Sequence, residues 1–230
     1  MKLNKVLALA LSGVMAVSML AGCSGNGSNN GGSSSGEEPV VDNSLTGQVI
    51  SALSSDNKVT FTSDNTLGTT LQKAIDNAGY KYKDLKKATT ANTIANLMGQ
   101  IDSDLKNEIL PYINDNNAFH TGREDSDKAE QNAFGVVVFD GQGYSNDYAV
   151  KQLAAQIDAQ NVMGESGNNL FDMTELPTYT DDYGSNPDSY YYTFDYTGSM
   201  SVVTVSDTVT GQTVYVAAYT ITRTPTKVEK

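Results

Sequence analysis

The sequence predicts an α+β fold, in which an N-terminal helical region packs on an antiparallel sheet of about four or five strands. Three observations support this fold class. Apolar residues recur at helical spacing in the first half of the domain, an apolar run of strand length stands near its middle, and the C-terminal part alternates like paired strands. Helices packed on one sheet are among the few architectures that bury both kinds of element.

The first region, residues 44–117, is predicted to be mostly helical. The segment SLTGQVISAL begins with Ser44, a suitable N-cap for a short amphipathic helix, and KVTFTS has the composition of a brief strand. In LGTTLQKAIDNA the apolar residues share one helical face, and Gly79 follows where a C-terminal cap is expected. The longest helical stripe falls in Thr90–Leu110, and Pro111 ends it.

The second region is predicted to be richer in strands. AFGVVVFD is an apolar run of buried-strand length, and GQGYS forms a tight turn. A helix follows from about Asn146 to Gln160, with Asn146 or Asp147 as its N-cap. The chain then ends in a β-meander of three strands, YYYTFDY, MSVVTVS and QTVYVAAYTITR. Thr197-Gly198-Ser199 and DTVTG are the two predicted hairpin connections.

Tyrosine is abundant: the chain has thirteen tyrosines and no tryptophan. In YYYTFDY, the two-residue period of a strand places four aromatic side chains on one face: Tyr190, Tyr192, Phe194 and Tyr196. We expect this row to be the core face of a sheet beneath a helix, because aromatic side chains pack well on pleated strands.

Residues 1–22 have the three parts of an export signal. Lys2 and Lys5 give a positive start, an apolar stretch runs from Val6 to Ala21, and small residues precede Cys23. The apolar stretch is shorter than the roughly 20 residues that cross a bilayer. The pattern therefore predicts a cleaved or anchored signal and not a transmembrane helix.

The end of this signal, Leu20-Ala21-Gly22-Cys23, resembles the lipobox of bacterial lipoproteins. The resemblance covers only the first two dozen residues. It implies that Cys23 receives a diacylglyceryl group, that the signal is cut just before it, and that the protein is held at the extracytoplasmic face of the bacterial cell membrane. Two acyl chains give stable attachment, at about 0.8 kcal/mol per buried methylene.

The segment after the cysteine is predicted to be a tether. Residues 24–36 contain only Gly, Ser and Asn, which have no apolar surface to bury and cannot offset the entropy of ordering. The chain is therefore predicted to consist of a signal peptide (1–22), a lipid-anchored linker (23–43) and a single α+β domain (44–230).

Charge and cysteine content exclude several classes of protein. Loss of residues 1–22 removes Lys2 and Lys5 and no acid, so the net charge changes from −12 to −14. Such an acidic domain is expected to repel nucleic acid and anionic lipid. Cys23 is the only cysteine, so the domain is predicted to have no internal disulfide and to depend on its hydrophobic core.

The sequence offers no complete catalytic, metal or cofactor site. His120 is the only histidine, so a hydrolytic triad or a zinc site with several histidines is hard to build. We expect a solvated loop histidine, although Glu124, Asp125 or Asp127 could act with it. The acidic segments EDSDKAE and TDDYGSNPDS do not match EF-hand spacing and are predicted to be solvated loops. The lone GQG is a turn and not a dinucleotide fingerprint.

Any ligand contacts are expected in the long polar segment 161–190, because loops on a rigid sheet commonly carry function. The candidate ligand-binding residues are Tyr179, Asp181, Asp182, Tyr183 and Asp188. A tyrosine offers an apolar face and a polar tip, which suit a sugar ring or a protein surface.

These observations predict a lipid-anchored, non-catalytic binding or interaction protein of the cell surface. Its expected partners are the membrane, through the diacylglyceryl anchor, and either a cell-wall glycan or another envelope protein. Two alternatives remain open. An envelope hydrolase would need two carboxylates about 5 to 10 Å apart in a cleft. A transport-linked solute-binding lipoprotein generally needs two lobes that close around the solute.

Overall fold

The computed structural model describes residues 40–41, 43–87, 119, 122–162, 177–180 and 189–230. The helices in these ranges are α1 (Asn43–Ala52), α2 (Asn65–Asn77), α3 (Tyr82–Leu85), α4 (Glu124–Asp127) and α5 (Asn146–Val162). The strands are β1 (Val40–Val41), β2 (Thr60–Ser63), β3 (Gln131–Asp140), β4 (Tyr179–Thr180), β5 (Ser189–Ser206) and β6 (Thr213–Glu229). The α+β fold class is confirmed. The helix predicted in Thr90–Leu110 lies outside the described residues.

The described strands form one sheet built around the hairpin of β5 and β6. β3 pairs with the far edge of β6, while β1, β2 and β4 lie one after another along the far edge of β5. Short strands of this kind cover an edge that could otherwise pair with another chain. β2 runs parallel to β5, so the sheet is mixed and not wholly antiparallel as predicted.

The two ends of this sheet, the turn end and the open end, differ. The turn end holds the β5–β6 connection, residues 207–212, and the β3–α5 connection, residues 141–145. The open end is where β5 begins, β6 ends and β4 pairs with β5. β5 has 18 residues. The two ends therefore lie about 55 Å apart along the strand.

Hydrophobic clusters cover both faces of the sheet. α1 and α5 pack on one face, around Leu153 and Val202, and α2 and α3 pack on the other, around Leu71 and Val216. β3 lies between the two clusters, and its residues Ala133–Val138 are all buried. A strand covered on both faces carries a continuous apolar run, which explains why AFGVVVFD lacks alternation.

The predicted hairpin at Thr197-Gly198-Ser199 is wrong, because β5 continues through it without a break. A Cβ atom on Gly198 would lie 2.5 Å from the ring of Phe61 and 2.6 Å from the carbonyl oxygen of Thr220. Glycine is needed here for the close approach of β2 and β6, not for a turn. The C-terminal strands therefore form one long hairpin, and the DTVTG connection is confirmed.

Helix α2 and the turn after β3 match their predictions closely. α2 ends before Gly79, which has a positive φ of 66° as the cap prediction requires. Gly143 has a φ of 77°, and the amide of Tyr144 donates to the carbonyl of Gly141, so GQGYS is a tight turn.

Two N-cap predictions are wrong. The amide of Tyr148 donates to the hydroxyl of Ser145 at 3.3 Å, so Ser145 caps α5, not Asn146 or Asp147. Asn146 instead accepts a 2.6 Å hydrogen bond from the hydroxyl of Tyr215. α1 begins at Asn43, which places Ser44 inside the helix.

Within the described ranges, no helix is both long enough and apolar enough to span a membrane.

Candidate binding surface at the open end of the sheet

The predicted aromatic row lies on one face of β5, towards the open end. Tyr190 is buried, whereas Tyr192, Phe194 and Tyr196 are partly exposed. The rings of Tyr190 and Tyr192 meet edge to face, with centroids 5.9 Å apart. Tyr196 packs against the α1–α5 cluster, so the row continues the core of that face. The prediction that these four side chains share a face is confirmed.

Tyr179 of β4 joins this row. β4 pairs with the first residues of β5, and the ring of Tyr179 lies 5.9 Å from that of Tyr190 and 6.1 Å from that of Tyr192. The three rings of Tyr179, Tyr190 and Tyr192 form a group that we call the tyrosine cluster. Tyr179 and Tyr192 are partly exposed, so the cluster reaches solvent on one side.

Carboxylates of the acidic helix α4 accept hydrogen bonds from two tyrosines of the cluster. The hydroxyl of Tyr179 donates a short hydrogen bond to Asp127, and the hydroxyl of Tyr190 donates a 2.8 Å hydrogen bond to Glu124. Asp127 is only 1% exposed and also accepts from the amide of Gly122 at 3.2 Å. The predicted solvated loop is therefore wrong for Asp127, because the Tyr179 hydroxyl and the amide of Gly122 replace water around its carboxylate.

Arg223 is the buried cation of this region, with 0% exposure. Its Nη2 atom donates to the carbonyl of Ser126 at 3.1 Å and lies 3.9 Å from Oδ1 of Asp127. Its guanidinium carbon lies 4.1 Å from the ring centroid of Phe194 and 5.8 Å from that of Phe119. A planar, weakly hydrated guanidinium can make both kinds of contact at once. Arg223 thus ties α4 to the sheet.

Burial changes the acid–base behaviour of this region. Removal from water raises the pKa of Tyr179, and the hydrogen bond to the Asp127 carboxylate raises that pKa further. Burial likewise raises the pKa of Tyr196, against the opposing effect of Arg223. The same desolvation lowers the pKa of Arg223, which Tyr196 and Asp127 partly offset. The Tyr179 phenol therefore remains protonated at neutral pH and donates its hydrogen bond to Asp127.

A second cation lies at the rim of the tyrosine cluster. The ammonium of Lys227 is 3.9 Å from the ring centroid of Tyr190, a distance typical of a cation–π contact. Lys227 is exposed, and its ammonium also lies 3.9 Å from Oε1 of Glu229. The cluster therefore combines apolar ring faces and tyrosine hydroxyls with a rim that carries both a cation and a carboxylate.

The structure describes one of the five predicted ligand-binding residues, Tyr179. Asp181, Asp182, Tyr183 and Asp188 lie outside the described residues, in the connection between the paired residues Thr180 and Ser189. Cys23 and His120 also lie outside them.

The sequence does not show that Glu124, Asp127 and Arg223 lie together and support the rings. The strand pattern does, however, indicate that Arg223 is buried. In VYVAAYTITR the inward positions alternate from Tyr215 to Ile221, and the same register places Arg223 on the inner face. A charged residue at an inward strand position requires a buried partner. Nothing local to EDSDKAE identifies Asp127 as that partner, because the two residues meet only in the folded sheet.

The other acids in this region are used differently. Asp125 pairs with Lys128 at 2.5 Å on the surface, and hydrogen bonding to Lys128 lowers the pKa of Asp125. Across the described parts of the chain, no three His, Cys, Asp or Glu side chains come together in a way that could hold a metal ion.

A groove of about 520 Å³ lies between α1 and α5. Short side chains make up much of its lining, and its charged residues, Asp147 and Lys151, form a 3.0 Å ion pair whose side chains are largely exposed. Neither an aromatic ring nor a buried charged side chain lines this groove. Of the two surfaces, the tyrosine cluster is the better candidate for ligand contact.

Comparisons with known proteins identified no relative: no family model, curated protein or solved structure matches the chain.

Proposed function

We propose that this protein is a lipid-anchored, non-catalytic binding protein of the bacterial cell surface, and that its ligand contacts the tyrosine cluster. The lipobox-like end of the signal and the Gly/Ser/Asn segment support the anchored part of the proposal. The binding part depends on the geometry at the open end of the sheet.

The observation that carries the binding proposal is the fixed arrangement of Tyr179, Tyr190 and Tyr192. Two of the three hydroxyls are held by carboxylates of α4, and Arg223 holds α4 in turn. Rings positioned in advance lose little conformational entropy when a ligand binds. Tyr192 and Tyr179 therefore form a pre-organised aromatic surface with access to solvent.

A glycan of the cell wall is the ligand class that suits this surface best. Sugar rings have apolar faces that stack on aromatic rings, and hydroxyl edges that bond to polar groups. The hydroxyl of Tyr192 and the ammonium of Lys227 supply such groups beside the rings. An acidic domain on a tether would meet the wall polymer and stay soluble beside it.

The carboxylates of α4 give the hydrolase alternative no specific support. Glu124 and Asp127 each accept a hydrogen bond from a tyrosine hydroxyl, and Asp127 also lies against Arg223. These acids are therefore occupied in holding the tyrosine cluster.

The proposal is tested by sedimentation of the detergent-solubilised mature protein with purified, insoluble bacterial cell walls. We expect Tyr192→Ala to weaken binding about tenfold or more, as loss of a central aromatic contact commonly does. The matched control is Tyr191→Ala, on the opposite face of the same strand, which should bind as the unmodified protein does. Binding by Tyr192→Ala at the unmodified level, or sedimentation of none of the proteins, would contradict the proposal.

A further inference from the structure

The exposed apolar side chains gather at the turn end, far from the tyrosine cluster. Among the described residues, the large hydrophobic side chains with substantial exposure are Val209 at 90%, Tyr144 at 55% and Tyr148 at 41%. Val209 is in the β5–β6 connection, and the other two flank the start of α5. The rings of Tyr144 and Tyr148 stack with centroids 4.5 Å apart and lie beside Phe139. Apolar groups that share one end of a domain mark a contact surface.

Lysines gather at the same end. The segment KYKDLKK, residues 81–87, holds four lysines and one acid in a chain with only 15 basic residues and a net charge of −12. Its middle forms α3, which is fixed to the turn end by the hydrogen bond from the Tyr82 hydroxyl to Gln212, at 2.7 Å. Lys86 also contacts Gln142 in the β3–α5 connection. We call these residues the lysine segment.

The chain joins the sheet at this end as well. β1 is antiparallel to β5, with Val40 opposite Thr204 and Val41 opposite Val203. Since β5 ends at Ser206, β1 begins towards the turn end. Sixteen residues separate Cys23 from Val40. A Gly- and Ser-rich tether of that length has a typical span of roughly 20 Å.

We propose that the turn end is a membrane-docking surface: the exposed tyrosines and Val209 enter the interfacial layer of an anionic lipid surface, and the lysine segment faces the headgroups. The inference rests on the lipid anchor of the proposed function. Tyrosine is favoured at membrane interfaces because its ring is apolar and its hydroxyl remains hydrated. Lysines near anionic headgroups add an electrostatic attraction.

Four acids lie near the turn end beside five lysines, the four of the lysine segment and Lys151, so most of the positive charge there is offset. The Asp207 carboxylate is turned into its own connection, where it accepts from the amide of Val209 at 2.8 Å. Asp140 accepts from the amide of Gln142, and Asp84 accepts from the amide of Lys81. Asp147 is paired with Lys151. These hydrogen bonds leave the carboxylates charged, so the five lysines exceed the four acids by one positive charge in a domain that is acidic as a whole.

Docking by the turn end would direct the tyrosine cluster away from the membrane. Tyr190 and Ser206 are sixteen residues apart on β5, or about 50 Å along a strand. The tether supplies a high local concentration of lipid, so a weak attraction is sufficient to orient the domain. The candidate ligand surface then faces the cell wall.

The absence of tryptophan allows a direct test. Mature Tyr144→Trp protein, purified from membranes with its lipid, is inserted into preformed vesicles of phosphatidylcholine with or without 30% phosphatidylglycerol (roughly the anionic content that gives a strong surface potential). Brominated lipids serve as the quencher. We expect blue-shifted emission and quenching on anionic vesicles. The control is Tyr191→Trp at the open end, which should be neither shifted nor quenched.

Charge reversal tests the role of the lysine segment. In the Tyr144→Trp protein, Lys81→Glu with Lys83→Glu should reduce quenching on anionic vesicles at least tenfold, since each charge near such a surface alters binding severalfold. Lys58→Glu is the matched control, because Lys58 is exposed and precedes β2, which meets β5 at Thr197. This control should leave quenching unchanged.

The outcomes separate the docking surface from the anchor. Protein that inserts into vesicles but shows no quenching at Tyr144→Trp overturns the docking surface and leaves the anchor intact. Protein that fails to insert, because Cys23 carries no lipid, contradicts the proposed function. A Tyr144→Trp signal that responds to solubilised cell-wall glycan and not to lipid also overturns the proposal, since the turn end would then be a sugar-binding surface.

Discussion

Arg223 is the residue on which the open end of the sheet depends most. It is fully buried between the ring of Phe194 and the acidic helix α4, where it donates to the carbonyl of Ser126. A buried cation and a buried carboxylate are tolerated only together, because each alone would lose its hydration without compensation. The Asp127 carboxylate compensates the charge of Arg223 and also accepts a hydrogen bond from Tyr179.

We predict that Arg223→Met lowers the free energy of unfolding by about 3–5 kcal/mol, since it leaves the Asp127 carboxylate buried without its cation. Urea denaturation followed by circular dichroism measures this loss. The double variant Arg223→Met with Asp127→Asn should recover a large part of it, because the uncompensated charge is gone. A loss below about 1 kcal/mol in the single variant would contradict the buried ion pair.

At the scale of single elements, β5 differs most from its prediction, and its central glycine explains the difference. Thr-Gly-Ser reads as a turn when only local preference is considered. Gly198 is instead a strand residue over which the ring of Phe61 and the carbonyl of Thr220 pack closely. The reason lies in two residues that are far away in sequence, so the local pattern could not reveal it.

We predict that Gly198→Ala destabilises the domain by about 1–3 kcal/mol, because the new methyl group must displace Phe61 or the backbone of β6. Thermal and urea unfolding measure the change. Gly47→Ala is the matched control: a Cβ at this position in α1 meets nothing within 4 Å, so the substitution should stabilise the helix by up to about 1 kcal/mol. Equal effects of the two substitutions would contradict the packing argument.

Elements set by local periodicity could be predicted from sequence. The apolar stripe of α2 and the continuous apolar run of β3 each predict an element. Burial on one face or on both faces determines how apolar residues are spaced along the chain. Helix caps were less predictable. Ser145, Asn146 and Asp147 are all suitable caps, but Asn146 binds the hydroxyl of Tyr215 and Asp147 pairs with Lys151, while Ser145 accepts from the amide of Tyr148.

The candidate site was predictable only in part, because its residues come from distant parts of the sequence. Strand periodicity correctly placed Tyr190 and Tyr192 on one face, and composition identified Tyr179. The polar support under these rings comes from α4 and β6, which are separated from one another by about a hundred residues. Such long-range partners become visible only when the strand register is known.

At the scale of the whole molecule, the described domain has two ends with different chemistry. The turn end carries exposed tyrosines, the lysine segment and the point where the chain joins the sheet. The open end carries the tyrosine cluster above a buried Arg–Asp pair. This arrangement suits a protein that is fixed to a surface at one end and meets its ligand at the other.

Intact mass spectrometry of protein purified from the native membrane fraction tests whether the protein is attached to lipid. We predict a chain that begins at Cys23 and carries the mass of a diacylglyceryl group on its sulfur. A chain that retains Met1 and an unmodified thiol at position 23 would contradict the claim.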